Sequence, residues 1–569
     1  MFEAEASVLS ELIRERNLIT PEQFAEVKEE HARTGKPLTQ IITDFGLLSE
    51  SALLQAVADH LGLEYVDLES LDIPKDVLQT VPASVARMYT AVPIRVQGNV
   101  VTLAVLDPYN PQLGEELSFV LGKDVELAVA PSKQIEEAVN RFYAEESESL
   151  KDVLQDMEKQ LAKNEGPALG GDEQAQAAAL AEMAAQAPIV RFVNLILFQA
   201  IQDRASDIHF EPFEDEFKIR YRVDGALYEM APPPRHLALP VISRIKVMAN
   251  LNIAERRLPQ DGRIQIHLAG RPVDLRVSTL PTQFGESVVL RVLDRTVVNL
   301  EIESLGMPPD VYAAIKELIK LPNGIIIVTG PTGSGKTTTL YSCLKRINTV
   351  DVKLLTAEDP VEYDIEGIMQ VPINEGIGLT FARALRAFLR QDPDIIMVGE
   401  MRDLETAQIA IQASLTGHLV FTTLHTNDAP GAVTRMIDMG VEPFLITSTL
   451  QAVLAQRLVR TICKKCRVAY EPDAAVLAEL GLTRDAIGDR PFYYGKGCLD
   501  CNQTGYRGRK GLFELMKITE PLRELINLRA PAGVIRAKAL ELGMRTLRED
   551  GIRCILDGIT TVEEVLKYT

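Results

Sequence analysis

The chain lacks tryptophan, is poor in aromatic residues and has less basic than acidic charge. Aromatic residues make up 5% of its 569 residues. Proteins that bind single-stranded nucleic acid stack bases on aromatic side chains, so this composition disfavours that class. The chain has 60 Lys and Arg against 80 Asp and Glu, giving a net charge of −20. Non-specific DNA binding needs a basic footprint, which only local patches could supply here.

Long apolar runs and a cysteine framework are also missing. No stretch of 18 uncharged apolar residues occurs, which predicts no transmembrane helix. The start, from Met1 to Glu5, lacks the basic and apolar regions of a secretory signal. Six cysteines are too few for a disulfide scaffold. We therefore expect a soluble cytosolic protein with three or four domains.

The first seventy residues contain an internal repeat at an offset of 29. Leu12-Ile13 matches Ile41-Ile42, and Thr20 and Ser49 are N-cap candidates at equivalent places. This pattern predicts a helical repeat domain over residues 1–70. Alternating segments after it predict a small α/β domain over residues 71–144.

A change of composition separates these domains from the rest. Residues 145–187 are rich in Gly, Ala, Gln and charge, which is typical of a linker. Residues 188–300 begin with an apolar helix and include Asp224-Gly225 between two alternating segments, a hairpin signal. Residues 301–569 contain apolar runs separated by helical segments, which predict a parallel sheet buried on both faces. The fold class is thus α/β multidomain.

The segment from Gly330 to Thr338 reads GPTGSGKTT and follows an apolar strand. It matches the P-loop pattern, in which backbone N–H groups surround phosphate oxygens at a helix N-terminus. Lys336 is expected to reach the β- and γ-phosphates of ATP, and Thr337 to bind Mg²⁺. The expected nucleotide contacts are Gly330, Pro331, Thr332, Gly333, Ser334, Gly335, Lys336, Thr337 and Thr338.

Two acidic residues follow apolar strands of the same domain. Glu400 comes after Ile395–Val398, where a carboxylate can hold Mg²⁺ through water. Glu358 comes after Leu354–Ala357, where it could orient or deprotonate the attacking water. Either acid could instead be a solvated loop residue. His418 and His425 flank a third strand, and either sense the γ-phosphate or are structural.

Four cysteines form two Cys-x-x-Cys pairs, Cys463 with Cys466 and Cys498 with Cys501. Two such pairs favour tetrahedral Zn²⁺ coordination in an insert at about 460–505, with redox activity as the alternative. Cys343 and Cys554 are expected to be buried apolar residues. Basic residues near the pairs either bind anionic partners or lipid headgroups, or form a solvated face. They are Arg457, Arg460, Lys464, Lys465, Arg467, Arg507, Arg509 and Lys510.

Five motifs in order carry a family resemblance: ASDIHFEP at 205–212, the P-loop, EDPVE at 358–362, DIIMVGEMRD at 394–403, and the TGH…HTN segment at 416–427. From about residue 188 onwards the chain resembles the secretion ATPases of type II secretion and type IV pilus assembly. The resemblance implies a RecA-like ATPase core after a PAS-like domain. It also implies Glu358 as general base, Glu400 acting on Mg²⁺ through water, and Arg276 and Arg291 closing on the phosphates. His425 is the remaining expected nucleotide contact.

The resemblance also implies partners and a location. We expect a homo-hexamer at the cytoplasmic face of the inner membrane that acts on a polytopic platform protein, with cytoplasmic ring proteins as further partners. Pilus extension is favoured over type II secretion by length and by the two-part N-terminal region. The repeat resembles a domain that binds cyclic di-GMP in some members. Because its phosphate-binding arginine and early glycines are missing here, we do not expect that ligand.

Two other functions remain open from sequence. RecA-like cores also drive nucleic-acid motors, although the charge and aromatic content argue against one. A nucleotide-binding scaffold without turnover is disfavoured because Lys336, Glu358 and Glu400 are all present.

Overall fold

The computed structural model describes most of the chain in two compact units, Met1–Thr296 and Val297–Thr569. The described residues are 9, 12, 13, 16, 18–34, 38–71, 73–82, 85–86, 89–110, 113–143, 180–230, 232–268, 271–293 and 300–569. The predicted linker at 145–187 lies outside them up to residue 179.

The first unit begins with three helices, α1 (Pro21–Thr34), α2 (Leu38–Asp44) and α3 (Glu50–Leu61). The predicted N-cap at Thr20 is part of a capping box, since Thr20 N donates to Gln23 Oε1 at 2.9 Å and Gln23 N donates to Thr20 Oγ1 at 3.3 Å. Ser49 caps α3 as predicted. The repeated apolar pairs share one core, as their matching positions suggested.

A four-stranded sheet with strand order β1-β4-β3-β2 follows. Strands β2 and β3 form an antiparallel hairpin, whose turn contains Gly98 at φ 63°. Strand β4 pairs with β3 and β1 in parallel. The elements are β1 (Glu64–Tyr65), α4 (Lys75–Leu78), β2 (Ala91–Gln97), β3 (Val100–Val105), α5 (Leu113–Leu121), β4 (Asp124–Val129) and α6 (Ser132–Phe142).

The last part of the first unit is an antiparallel six-stranded sheet, ordered β7-β6-β5-β10-β9-β8. Two helices and one face of the sheet share a core. Asp224 and Gly225 both have positive φ, so the predicted Asp-Gly hairpin forms. The elements are α7 (Ala187–Gln202), β5 (Ala205–Pro212), β6 (Phe217–Val223), β7 (Ala226–Glu229), α8 (Ala238–Met248), β8 (Gln260–Leu268), β9 (Arg271–Thr282) and β10 (Gly285–Leu293).

The second unit is built on a seven-stranded sheet, ordered β13-β12-β14-β15-β11-β16-β19. All neighbours pair in parallel except β16 and β19. Separate cores cover its two faces, which confirms the predicted doubly buried sheet. Its strands are β11 (Gly324–Thr329), β12 (Leu354–Glu358), β13 (Ile368–Pro372), β14 (Ile395–Val398), β15 (Leu419–Leu424), β16 (Leu450–Ile462) and β19 (Tyr506–Lys517).

Helices cover both faces of this sheet, and a small excursion leaves it after β16. The helices are α9 (Pro309–Leu318), α10 (Lys336–Ile347), α11 (Phe381–Phe388), α12 (Leu404–Leu415), α13 (Ala429–Asp438), α14 (Pro443–Thr449), α17 (Glu520–Asn527), α18 (Ala532–Glu541), α19 (Leu547–Leu556) and α20 (Val562–Tyr568). The excursion contains β17 (Arg467–Tyr470), α15 (Ala474–Leu480), α16 (Arg484–Ile487) and β18 (Phe492–Gly495). Over the described part of the chain, none of the helices has the length and apolar character that a membrane span requires.

Candidate nucleotide-binding site

The P-loop connects the buried strand β11 to helix α10, as the sequence predicts. Gly330, Gly333 and Gly335 have φ values of 153°, 77° and 85°, which favour glycine. A Cβ at Gly330 would lie 2.5 Å from the Gln456 carbonyl oxygen, and one at Gly335 would lie 2.8 Å from Gln456 Nε2. Strand β16 therefore lies so close to the loop that only glycine fits at positions 330 and 335.

The Lys336 ammonium group lies across the loop. Its Nζ donates to the carbonyl oxygens of Gly330 and Pro331 at 2.9 and 3.0 Å. Burial lowers the pKa of Lys336 to about 8, and the Glu400 carboxylate partly offsets this effect. The ammonium group thus occupies the concave side of the loop, where phosphate oxygens are expected. Thr337, the predicted Mg²⁺ ligand, is exposed.

Glu400 and His425 join Lys336 at the carboxyl ends of the central strands. Glu400 follows β14, His425 follows β15, and His425 Nε2 lies 3.6 Å from Glu400 Oε2. Glu400 also forms an ion pair with Arg402, which raises the pKa of Arg402. Burial and the Lys336 charge lower the pKa of His425. Acid, base and ammonium group therefore meet beside the P-loop.

Glu358 is positioned differently from Glu400. It ends β12, is 3% exposed, and accepts hydrogen bonds from Tyr341 Oη, Thr356 Oγ1 at 2.6 Å and Gln370 Nε2 at 3.0 Å. Burial raises the pKa of Tyr341, and the Glu358 carboxylate raises it further. Among the described residues, no hydrogen bond joins Glu358 to Lys336 or Glu400. The Glu400 charge acts on Lys336, whereas both oxygens of Glu358 are held by Tyr341, Thr356 and Gln370.

The two histidines that flank β15 lie at opposite ends of the strand. His418 precedes the strand, and its Nδ1 lies 2.8 Å from the Ala413 carbonyl oxygen at the end of α12. The structural alternative is therefore right for His418, and the hypothesis of a sensing pair is wrong. Of these two histidines, His425 is the one that lies at the P-loop edge of the sheet.

Gln456 and Arg457 on β16 support the P-loop, a role that the sequence did not predict. Gln456 Oε1 accepts a hydrogen bond from Thr339 Oγ1 of α10 at 2.7 Å. Arg457 donates to the Asn427 carbonyl oxygen at 2.8 Å and is 7% exposed. Assigning Arg457 to a basic surface was wrong, because the pairing of β16 with β11 buries it.

Two more of the eight basic residues are also engaged inside the unit. Arg460 pairs with buried Glu564 at 2.7 Å and lies over the Tyr506 ring. Lys510 donates to the Gly306 carbonyl oxygen, and burial lowers its pKa. The remaining five stay on the surface: Lys464, Lys465, Arg467, Arg507 and Arg509.

The four paired cysteines converge as predicted. Their Sγ atoms lie within 4.8 Å of one another, with separations of 3.7 Å for Cys498–Cys501 and 3.8 Å for both Cys463–Cys498 and Cys466–Cys501. A tetrahedron with Zn–S bonds of about 2.3 Å has edges of about 3.8 Å, so the donor set fits Zn²⁺. The N–H groups of Cys498 and Gly505 also donate to Cys501 Sγ.

The other two cysteines lie apart from this cluster and are buried. Burial raises the pKa of Cys343 to about 12 and that of Cys554 to about 11. They remain neutral thiols at physiological pH, as expected of apolar packing residues.

The predicted phosphate-binding arginines belong to the first unit. Arg276 lies on β9 and Arg291 on β10, where the two are cross-strand neighbours. Arg291 Nε donates to Asp207 Oδ1 at 3.0 Å. Their role at the phosphates stays a prediction.

Comparisons with known proteins place these features in context. A family model described as "Type II/IV secretion system protein" matches residues 182–567, and one described as "MshEN domain" matches residues 61–149. The type IV pilus assembly ATPase PilB of Myxococcus xanthus is 45% identical over 563 residues, 99% of this chain and 98% of the relative. The type II secretion system protein E of Xanthomonas campestris pv. campestris is 43% identical over 570 residues, 100% and 99% of the two chains.

The solved structures include the ATPase DotB of Legionella pneumophila. It shares 22% identity with this chain, covers 66% of it and 94% of its own length, and has a TM-score of 0.50. This likeness concerns the fold alone.

Proposed function

The chain belongs to the type II/IV secretion system protein family, and we propose that it is the ATPase that drives type IV pilus assembly. The site geometry that carries the proposal is the meeting of Lys336, Glu400 and His425 at one edge of the sheet. A carboxylate and a buried ammonium group beside a P-loop are the groups that ATP hydrolysis requires.

The P-loop residues fit MgATP. Backbone N–H groups of the loop and the Lys336 ammonium would bind the β- and γ-phosphates. Thr337 would bind Mg²⁺ directly and Glu400 through water. When bound, the ion would neutralise the charge that develops on the phosphate oxygens. His425 would then report on the γ-phosphate through its contact with Glu400.

Two carboxylates are candidates to activate the attacking water. We propose Glu358 as the general base, as the family resemblance implies. This role requires the carboxylate to leave Tyr341, Thr356 and Gln370, because these donors occupy both of its oxygens. Arg276 and Arg291 would stabilise the charge on the transferred phosphoryl group.

The assembly around the site follows the same proposal. We propose a homo-hexamer at the cytoplasmic face of the inner membrane, which acts on a polytopic platform protein and on cytoplasmic ring proteins. The four cysteines would hold a structural Zn²⁺, because all four thiols point at one another and no position is left open.

A second candidate is the ATPase of type II secretion. It is favoured by the 43% identity to a type II secretion system protein E over nearly the whole of both chains. ATP hydrolysis is common to both candidates, so only the exported product distinguishes them.

Hydrolysis by the purified chain tests the shared part. Wild-type protein should release phosphate from MgATP, and Glu400→Gln and Glu358→Gln should each lower kcat by about a hundredfold or more. Lys345→Gln on the exposed side of α10 is the control and should keep wild-type activity. Wild-type protein that binds ATP without turnover would instead be a scaffold, and DNA-dependent turnover would indicate a nucleic-acid motor.

A further inference from the structure

The open face of the six-stranded sheet carries three arginines in one cross-strand row. Arg263 of β8 lies opposite Arg276 of β9, and Arg276 lies opposite Arg291 of β10. Residues paired across neighbouring strands point to the same side of a sheet. The other side is the core shared with α7 and α8. Three guanidinium groups therefore lie on one face over two strand spacings, about 10 Å.

Such a row is costly unless an anion lies against it, because like charges on directly opposed residues are destabilising. The next residue along the row is Asp207 of β5, opposite Arg291. Its carboxylate is already shared, with Arg291 Nε at 3.0 Å and Arg222 Nε at 3.6 Å. Asp207 thus compensates the charge of Arg291 and Arg222 at the β5 end of the row.

At the other end of the row no acid lies directly opposite Arg263, because Asp261 and Asp274 on the same face are offset along the strands, opposite Ser278 and Gln265. Arg263 is exposed, and no described residue forms a hydrogen bond or ion pair with its guanidinium. Its position is nevertheless fixed by the backbone. A Cβ on the preceding residue, Gly262, would lie 2.8 Å from the Ala249 carbonyl oxygen, so β8 packs directly on the segment after α8. The arginine therefore projects from a rigid strand into solvent.

We propose that Arg263 is a third phosphate-binding arginine and that the row binds the polyphosphate of a nucleotide. This inference rests on the proposed function, which assigns Arg276 and Arg291 to the phosphates. A triphosphate carries several negative charges along a short chain and accepts the paired N–H donors of guanidinium groups. It offsets the repulsion along the row, and Arg263 extends the contact by one strand.

The test compares two variants of the full chain that each remove one positive charge from the same sheet face. Arg263→Gln should lower kcat/KM for MgATP by about tenfold or more, because charge-assisted hydrogen bonds to phosphate are lost. Lys218→Gln is the matched control, since Lys218 lies away from the row and pairs with Glu216 and Glu229. It should stay within about twofold of wild type. Arg263→Lys should be intermediate, because it keeps the charge but not the paired donors.

If ATP hydrolysis by the wild-type chain depends on Lys336, the proposed function holds. Three results would then overturn the inference about Arg263. Arg263→Gln could match wild type, it could lose no more activity than Lys218→Gln, or its melting temperature could fall in proportion to its activity. A wild-type chain without Lys336-dependent hydrolysis would instead reject the proposed function. The two failures are thus separate.

Discussion

Burial lowers the pKa of Lys336 towards the physiological range. Its pKa is about 8, against 10.5 for the free side chain. Bound phosphates favour the ammonium form and raise this pKa again. At pH 8.5 about three-quarters of the lysine is neutral before binding, so MgATP binding should take up a similar fraction of a proton.

Calorimetry in buffers of different ionisation enthalpy measures this proton uptake. The uptake should be present in wild type and in the exposed-lysine variant Lys345→Gln, and absent in Lys336→Gln. ATP affinity should also fall as pH rises from 8 to 9, since the free lysine must then be protonated at a growing cost. Uptake that persists in Lys336→Gln would show that another group titrates.

Tyr341 holds the carboxylate of Glu358 from the P-loop helix. Its hydroxyl donates to Glu358 and accepts from the Glu362 N–H at 3.3 Å. Tyr341→Phe leaves a buried carboxylate one donor short and should lower the free energy of unfolding by about 1.5–3 kcal/mol. Chemical denaturation measures this loss.

Tyr312→Phe is the matched control for that change. Tyr312 also donates to a glutamate, Glu303 at 2.6 Å, but this carboxylate is exposed and Tyr312 is only partly buried. Solvent replaces the lost bond there, so stability should not change measurably. Equal losses in the two variants would contradict the role of burial.

At the scale of elements, we predict that a zinc ion held by the four paired cysteines joins the two ends of the excursion after β16. Purified protein should contain one zinc ion per chain, and Cys501→Ser should lose it with a drop in melting temperature of about 5–10 °C. Cys343→Ala removes a buried thiol outside the cluster and should keep the zinc. A zinc-free wild type with disulfides between the pairs would support the redox alternative.

The sequence predicted those parts of the site whose chemistry is local. The P-loop, the N-caps at Thr20 and Ser49 and the Asp-Gly hairpin each depend on a few adjacent residues, and the structure confirms them. The cysteine cluster was also predictable, because each pair has the Cys-x-x-Cys spacing of metal ligands in the sequence.

Other parts of the site depend on which strands become neighbours. Arg457 looked like a surface charge until β16 paired with β11 and placed it behind Gly330. The arginine row likewise appears only once β8, β9 and β10 are in register. The sequence suggested that His418 and His425 act together because they flank one strand. The length of that strand, Leu419–Leu424, places them at opposite edges of the sheet. Strand order and register are not encoded in short spacings, which explains these misses.

At the scale of the whole molecule, the central claim is that ATP hydrolysis at Lys336 drives pilus assembly. The net charge of −20 and the scarcity of aromatic residues agree with a motor that acts on protein rather than nucleic acid. The relatives include both pilus assembly and type II secretion proteins at similar identity. The product that the motor exports therefore has to be measured in the cell.

The most direct measurement replaces Lys336 by Ala in the native host and examines surface pili and secreted proteins of the same culture. We predict that pili disappear, that secretion continues, and that Lys345→Ala changes neither. Loss of secretion with pili intact would contradict the account and identify the type II secretion ATPase.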